Sequence, residues 1–401
     1  MKILILGGTG SMGANCASLL HNYSDVKLTL GVRSMEKAEQ IMHEMKMDPF
    51  KVKPMVIDIM DKESVINAMK AHDVVLNAIG PFVKYGRHIL LSAIEAKVNY
   101  VDICDDYDAT LDLLSLDEQA KEAGISALIC MGTTPGITNI QAKYAVSFLD
   151  EIDSLKICWA VSTPPFDQVE GTGTFDTEAY KANPKDVIPK GAWEHLVHVG
   201  KGEVPVLKNG KMTTEPALEK CEYVDFAKPL GRAQAFVIGH SESITLPRAF
   251  QINDYCACFG ALMPKVMKQL RKECCGRKAP LFVTPPPDGP LWQAPDCWRT
   301  SCVWGGQVAI AEGKRNGKRV RCTIRFMLTT KYNEAVVYNN AGQTIGCYFM
   351  GSGRIKQKGV LAPEDCIDTK AFFEELAHQM IVMNDRQYTA DDLILVELSE
   401  I

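Results

Sequence analysis

The chain has 401 residues, room for two or three domains, and its 46% hydrophobic and 23% charged residues exclude a disordered, collagen-like or coiled-coil protein. Lys+Arg 44 against Asp+Glu 49 gives a net charge of −5, without the basic excess of a duplex binder, so nucleic acid is not an expected partner. No apolar run approaches the ~18–20 residues that span a bilayer, and the opening MKILILGGTG turns to glycine too early for a secretory leader, so no membrane partner and a cytoplasmic location are expected.

Apolar runs at Ile3–Leu6, Val26–Leu30, Met55–Ile59, Val74–Leu76, Tyr100–Ile103 and Ala127–Cys130 alternate with amphipathic stretches such as Met35–Met45, Lys62–Lys70 and Leu113–Ala123. Short buried strands separated by helices read as a doubly wound parallel sheet, the α/β class. After Met131 the pattern changes. GTTPGITN leads into a helical segment ending near Asp150, Leu155–Ser162 reads as a strand, and KNGK at 208–211 signals a hairpin. Tyr255–Glu273 reads as a helix, and Ala279–Pro295 as a proline-rich connection. A second hairpin, KRNGKR at 314–319, joins Val308–Ala311 to Val320–Phe326, where Val320, Cys322, Ile324 and Phe326 alternate with Arg319, Arg321, Thr323 and Arg325. That is a half-buried strand with one polar face. Asp368–Met383 is patterned as a helix and Leu393–Leu398 as a final strand. The expected domains are residues 1–130, completed by 360–401, and an α+β domain over 131–359.

The motif that carries chemistry is KILILGGTGSMGANCASLL. Gly8, Gly10 and Gly13 form G-x-G-x-x-G between an apolar strand and a helix, the context that makes this motif a dinucleotide-binding fingerprint. Gly8 allows the tight turn, Gly10 admits a pyrophosphate to the backbone, and Gly13 lets helix and strand pack closely; Thr9, Ser11 and Met12 complete the turn. The helix N-terminus then faces the phosphates. An Asp or Glu at the end of the second strand would select NAD. Here the strand runs Leu28-Thr29-Leu30-Gly31-Val32-Arg33-Ser34. Arg33 suits a 2′-phosphate, with Ser34 as an added donor, so NADP is favoured over NAD. Asp58 and Ile59 are expected near the adenine, and Asn77, Ala78, Gly80 and Pro81 along the pyrophosphate towards the nicotinamide. The only Tyr-x-x-x-Lys pair, Tyr23/Lys27, lies by the second strand, which argues against a short-chain dehydrogenase.

Beyond GGTGSMG, the stretches NAIGPFVKYG (77–86), NYVDICDDYDAT (99–110), GTTPGITN (132–139), HSESITLPR (240–248) and KGVLAPEDCID (358–368) resemble the saccharopine dehydrogenase-like family of NAD(P)-dependent oxidoreductases. The resemblance implies a Rossmann domain completed by C-terminal elements, an inserted substrate and dimerisation domain, a homodimer, and a small-molecule substrate held between the domains. Pro81 and Phe82, Asp102 to Tyr107, and Pro135 to Asn139 would line that cleft. The expected activity is NADP-dependent hydride transfer at a C–N bond of an amino-acid-derived substrate. A C=O or C=C reductase and a non-catalytic NADP-binding sensor are the alternatives.

Hydride transfer needs a proton donor or acceptor besides the nicotinamide. Asp102 and Asp106, in a crowded acidic segment at the end of the fifth strand, and Tyr107 beside them are candidates, since neighbouring carboxylates raise one another's pKa. His240 and Arg248 are the others, a proton carrier and a carboxylate clamp. His195 and His198 share a helical face without a third ligand, so no metal is expected. The 14 cysteines form no C-x2-C pairs, and they read as small buried hydrophobes.

Overall fold

The computed structural model describes residues 1–23, 25–162, 190–227, 230–262, 264–276, 304–327, 332–384 and 387–401. Contacts divide the chain into two compact units, Met1–Ile140 with Val336–Ala390, and Gln141–Ala335 with Asp391–Ile401. The proline-rich connection expected at Ala279–Pro295 lies outside the described residues.

The first unit is built on a seven-stranded sheet. Its strands are β1 (Lys2–Leu6), β2 (Lys27–Val32), β3 (Val52–Val56), β4 (Val74–Asn77), β5 (Asn99–Asp102), β6 (Ser126–Leu128) and a late strand, Gly359–Leu361. The order is Gly359–Leu361, β6, β5, β4, β1, β2, β3, and every pairing is parallel. Order reverses between β1 and β4, the switch point where such sheets bind ligands beyond their strand C-termini. Ile3–Leu6 and Val74–Leu76 are fully buried because helices cover both faces of these central strands. The covering helices include α1 (Ser11–Tyr23), α2 (Met35–Glu44), α3 (Lys62–Lys70), α4 (Phe82–Ala96), α5 (Tyr107–Leu114) and α6 (Asp117–Ala123). The C-terminal helix Thr369–Asn384 packs on α1.

The second unit carries a nine-stranded mixed sheet. Its long strands are β7 (Glu151–Ser162), Ile252–Leu262, Trp304–Arg315 and Lys318–Phe326. Ile252–Leu262 runs parallel to β7, while Trp304–Arg315 pairs antiparallel with both β7 and Lys318–Phe326. Both expected hairpins form. Asn209 and Gly210 (φ 52° and 68°), and Asn316 and Gly317 (φ 52° and 77°), supply the two left-handed residues of a tight turn whose twist matches the strands. Val320, Cys322, Ile324 and Phe326 are buried, and the arginine face is laced by ion pairs, Arg321 with Glu312 at 2.6 Å and Arg325 with Glu397.

Four expectations are corrected. The segment Tyr255–Glu273 is a strand to Leu262 and then a helix, Pro264–Cys275. A central strand buried on both faces is a continuous apolar run, which periodicity does not separate from a buried helix. The third strand is Val52–Val56 rather than Met55–Ile59, because this edge strand has one neighbour and leaves Met55 and Val56 exposed. Leu113–Ala123 is two helices broken at Ser115–Leu116. The C-terminal return starts at Val336, not 360, and the terminal strand Ile394–Glu400 pairs with Lys318–Phe326 in the second sheet instead of completing the first unit. Of the twelve cysteines described, eight are buried and none is bridged, as expected of small core side chains.

The early return is held by the helix Tyr332–Gly351. A Cβ on Gly342 would collide with the backbone carbonyl of Gly132, and one on Gly346 would lie 2.7 Å from Met131 Cγ. Gly342→Ala is expected to destabilise the first unit by about 1–3 kcal/mol through this overpacking, read as a lower urea midpoint. An unchanged midpoint would contradict the close approach.

Candidate dinucleotide site and acid–base groups

The glycine-rich turn follows β1 at the switch point. The amides of Gly7 and Gly8 both donate to the Gly31 carbonyl at 3.2 Å, tying the turn to β2, and the Gly10 amide donates to the Gly7 carbonyl at 2.8 Å. A Cβ on Gly8 would sit 2.8 Å from Leu30 Cβ, and one on Gly13 would overlap the Gly7 carbonyl oxygen. These positions therefore accept only glycine. α1 starts immediately over the strand end, with its unpaired N-terminal N–H groups and positive dipole end beside the exposed Gly10 and Ser11. Thr9 and Met12 are half-buried in the same turn.

Arg33 directly follows β2 and is exposed. No hydrogen bond or ion pair ties its guanidinium to any described residue. Ser34 caps α2, its hydroxyl oxygen accepting from the Lys37 amide at 3.3 Å. Asp58 is exposed and accepts from the Met60 amide at 2.9 Å, and the Ile59 carbonyl accepts from His88 Nε2 at 2.8 Å. Asn77 is buried; its Oδ1 accepts from the Ile79 amide at 2.9 Å and its Nδ2 donates to the Tyr100 hydroxyl at 3.0 Å. Ala78 is half-buried, while Gly80 and Pro81 are exposed before α4. A glycine cradle that a Cβ would fill, a helix N-terminus and an uncommitted guanidinium in place of an acid fit a dinucleotide with a 2′-phosphate.

Asp102 ends β5 and is fully buried. Its Oδ1 accepts the amides of Cys104 (3.0 Å) and Cys130 (2.9 Å), so one carboxylate joins the ends of β5 and β6. Its carboxylate also lies beside the buried Tyr100 hydroxyl. Burial pushes Asp102 up to about 6, opposed by those two amides and by the Tyr100 hydroxyl. Tyr100 is pushed well up, first by burial and then by the adjacent Asp102 charge. Asp106 is buried at the N-terminus of α5, and Tyr107 follows it half-buried, its phenol raised by burial and by Asp108 and Asp106. Sequence reasoning missed another carboxylate at the same sheet edge. Glu364, just past the strand Gly359–Leu361, is buried and accepts from Asn139 Nδ2 at 2.9 Å, while Asn139 Oδ1 receives the Gly136 amide at 2.8 Å.

In the second unit, His240 and Glu242 are both buried, and His240 Nδ1 donates to Glu242 Oε2 at 2.6 Å. Cys258 is the third potential ligand, the three ligand atoms lying within 4.8 Å of one another. Two ligands of one tetrahedral zinc stand about 3.3 Å apart, so the 2.6 Å contact is a His–Glu dyad and not a metal pair. The His195 ring lies 5.7 Å from that of His240, edge to face, and the Trp159 ring 5.9 Å away. Arg248 is exposed in the last turn of the helix Glu242–Ala249.

Residues 3–128 match the saccharopine dehydrogenase NADP binding domain. The turn and the parallel sheet are those of a Rossmann-type dinucleotide-binding domain, and over these residues the chain is similar to the saccharopine dehydrogenase NADP binding domain. Carboxynorspermidine synthase of Vibrio cholerae is 31% identical over 182 residues, 39% of this chain and 42% of that protein. Carboxyaminopropylagmatine dehydrogenase of Synechocystis is 28% identical over 170 residues, 39% of this chain and 40% of that protein. The matched part thus spans about two fifths of these relatives. Apo saccharopine dehydrogenase (L-Glu forming) from Saccharomyces cerevisiae shares the fold across the whole chain, with a TM-score of 0.64 at 14% identity, covering 100% of this chain and 99% of that one. Among the described residues no helix is long and apolar enough to cross a membrane.

Asp102 makes stability depend on pH. Its folded pKa is raised, from 3.8 to about 6, so its favourable contribution is complete below about pH 4 and is lost as pH rises through 6. A shift of about two units corresponds to roughly 3 kcal/mol. Asp102→Asn keeps an oxygen for the two amides without the charge. Its stability relative to wild type is expected to improve by about 2–3 kcal/mol between pH 4 and pH 7 in urea titrations. Parallel profiles would contradict the assignment.

Proposed function

We propose that the protein is an NADP-dependent oxidoreductase transferring hydride at a C–N bond, oxidising an amine or reducing an imine of an amino-acid-derived substrate. The observation that carries the proposal is the NADP-binding domain with Arg33 at the end of β2. The names of the relatives support the substrate class: carboxynorspermidine and carboxyaminopropylagmatine each join a carboxyl group to an amine.

When bound, the nicotinamide supplies or receives the hydride. Arg33 holds the 2′-phosphate, and the α1 N-terminus takes the pyrophosphate. The protein must then manage one proton. His240 is suited to carry it, because Glu242 occupies Nδ1 and fixes the ring, leaving Nε2 to hold or deliver the proton. Arg248 is proposed to bind a substrate carboxylate. In the first unit Asp102, buried at the end of β5 with a raised pKa, is proposed as a proton-holding group, with Asp106 and Tyr107 as its neighbours in the acid–base segment. The reading extends to an inserted substrate domain, a homodimer and a cytoplasmic location. Free rather than bridged cysteines among the described residues support the last.

The test follows NADPH absorbance with the full chain and a panel of 2-oxo acids and aldehydes, each offered with amines and amino acids. Turnover that requires both a carbonyl and an amine is expected. Turnover of a carbonyl or alkene alone would replace this reading with a C=O or C=C reductase, and tight NADPH binding without turnover with a sensor. His240→Asn should lower kcat about 10²–10⁴-fold while leaving the NADPH dissociation constant unchanged. An unchanged kcat would remove His240 from the mechanism.

A further inference from the structure

His240 is suited to hold a proton, yet only 2% of it is exposed, and Trp159 and Cys258 stand beside it, themselves buried. A group so enclosed does not itself meet a substrate. A proton held there has to pass through a neighbour that can pick it up and release it. His195, on the helix Lys190–Val199, is that neighbour, and it is only half-buried. Its ring stands edge to face on that of His240, with centroids 5.7 Å apart and planes at 74°. One nitrogen of each ring lies within 4.8 Å of the other. A small rotation of the half-buried ring closes that gap to a hydrogen bond, and a single water spans it as it stands.

The three side chains give the path a direction. Glu242 accepts from His240 Nδ1 at 2.6 Å, which leaves Nε2 as the nitrogen that exchanges. An imidazole takes a proton on one nitrogen while giving one from the other, so two in series pass a proton along without either ring leaving its place. We propose that His195 is the outer end of a relay Glu242–His240–His195, the residue through which the proton of hydride transfer enters and leaves. In imine reduction the carbon gains the hydride and its electron pair from NADPH, and the nitrogen gains a proton as an N–H bond of His195 breaks. His195 is then reprotonated from His240 Nε2, and a solvent proton restores His240 by the same route. The sum is one imine, one NADPH and one proton giving one amine and NADP. The inference rests on the reading of His240 as proton carrier and adds the group that connects it to the substrate.

Two measurements on the full chain test the relay. With the carbonyl and amine that turn over best, His195→Ala is expected to lower kcat about 10²-fold and to leave the NADPH dissociation constant unchanged. Added imidazole is expected to restore about tenfold or more, because it can enter where the half-buried ring stood. His198→Ala, three residues on in the same helix, is expected to keep the wild-type kcat. A wild-type kcat in His195→Ala, a loss that imidazole does not relieve, or an equal loss in His198→Ala would overturn the relay. The second measurement needs no turnover. In NMR titrations of the histidine side chains, His240→Asn is expected to move the His195 midpoint by about half a pH unit or more, since titrating groups this close are coupled. An unmoved midpoint would overturn the relay. A moved midpoint in a wild-type protein that turns over none of the panel would overturn the oxidoreductase reading and leave the coupled pair standing.

Discussion

α1 begins directly over the end of β1 because Gly13 has no side chain. A Cβ there would overlap the Gly7 carbonyl oxygen, and the helix would have to lift from the sheet. Everything proposed for the first unit depends on that contact. It places the N–H groups of the helix N-terminus at the switch point between β1 and β4, where a pyrophosphate can replace the missing intrahelical partners. The turn is tied on its other side to β2 through Gly31, and β2 delivers Arg33 to the same edge.

The same economy of space recurs later in the chain. Gly342 and Gly346 bring the helix Tyr332–Gly351 onto Met131 and Gly132, so a segment more than 200 residues away in sequence closes around the turn after β6. Asp102 works at that edge by electrostatics. Two amides, from Cys104 and Cys130, converge on one of its oxygens, fastening the ends of β5 and β6 at the cost of a buried charge. A carboxylate so placed combines a structural tie with a pKa displaced towards neutrality, the property a proton-handling group needs. In the second unit, the His240 ring is fixed by Glu242 two residues on.

Features governed by local rules were legible in the sequence. The glycine spacing, the Asn-Gly turns and the alternation of Val320 to Phe326 each follow from backbone sterics or from one half-buried face, and each forms as expected. Features decided by distant contacts were not. Tyr255 to Ala261 in the strand Ile252–Leu262 are buried whichever face they point to, and nothing local distinguishes such a run from a buried helix. The start of the C-terminal return was missed because Gly342 and Gly346 mark close packing only once their partner, the 131–132 backbone, is known. The sequence likewise brought out Asp102, Asp106 and His240 as chemical types, but not the two amides on Asp102 or the Glu364–Asn139 bond, which join residues far apart in the chain.

The proposed binding of NADP in the first unit rests on the glycine turn, with Arg33 discriminating the 2′-phosphate. Side-by-side titration of wild type and Arg33→Ala with NADPH and NADH tests this most directly. Wild type is expected to prefer NADPH by tenfold or more, and the substitution to remove most of that preference while leaving NADH binding nearly unchanged, since loss of a charged hydrogen-bond donor to phosphate costs about 1.5–3 kcal/mol. No binding of either dinucleotide, or an equal loss of both in Arg33→Ala, would contradict it.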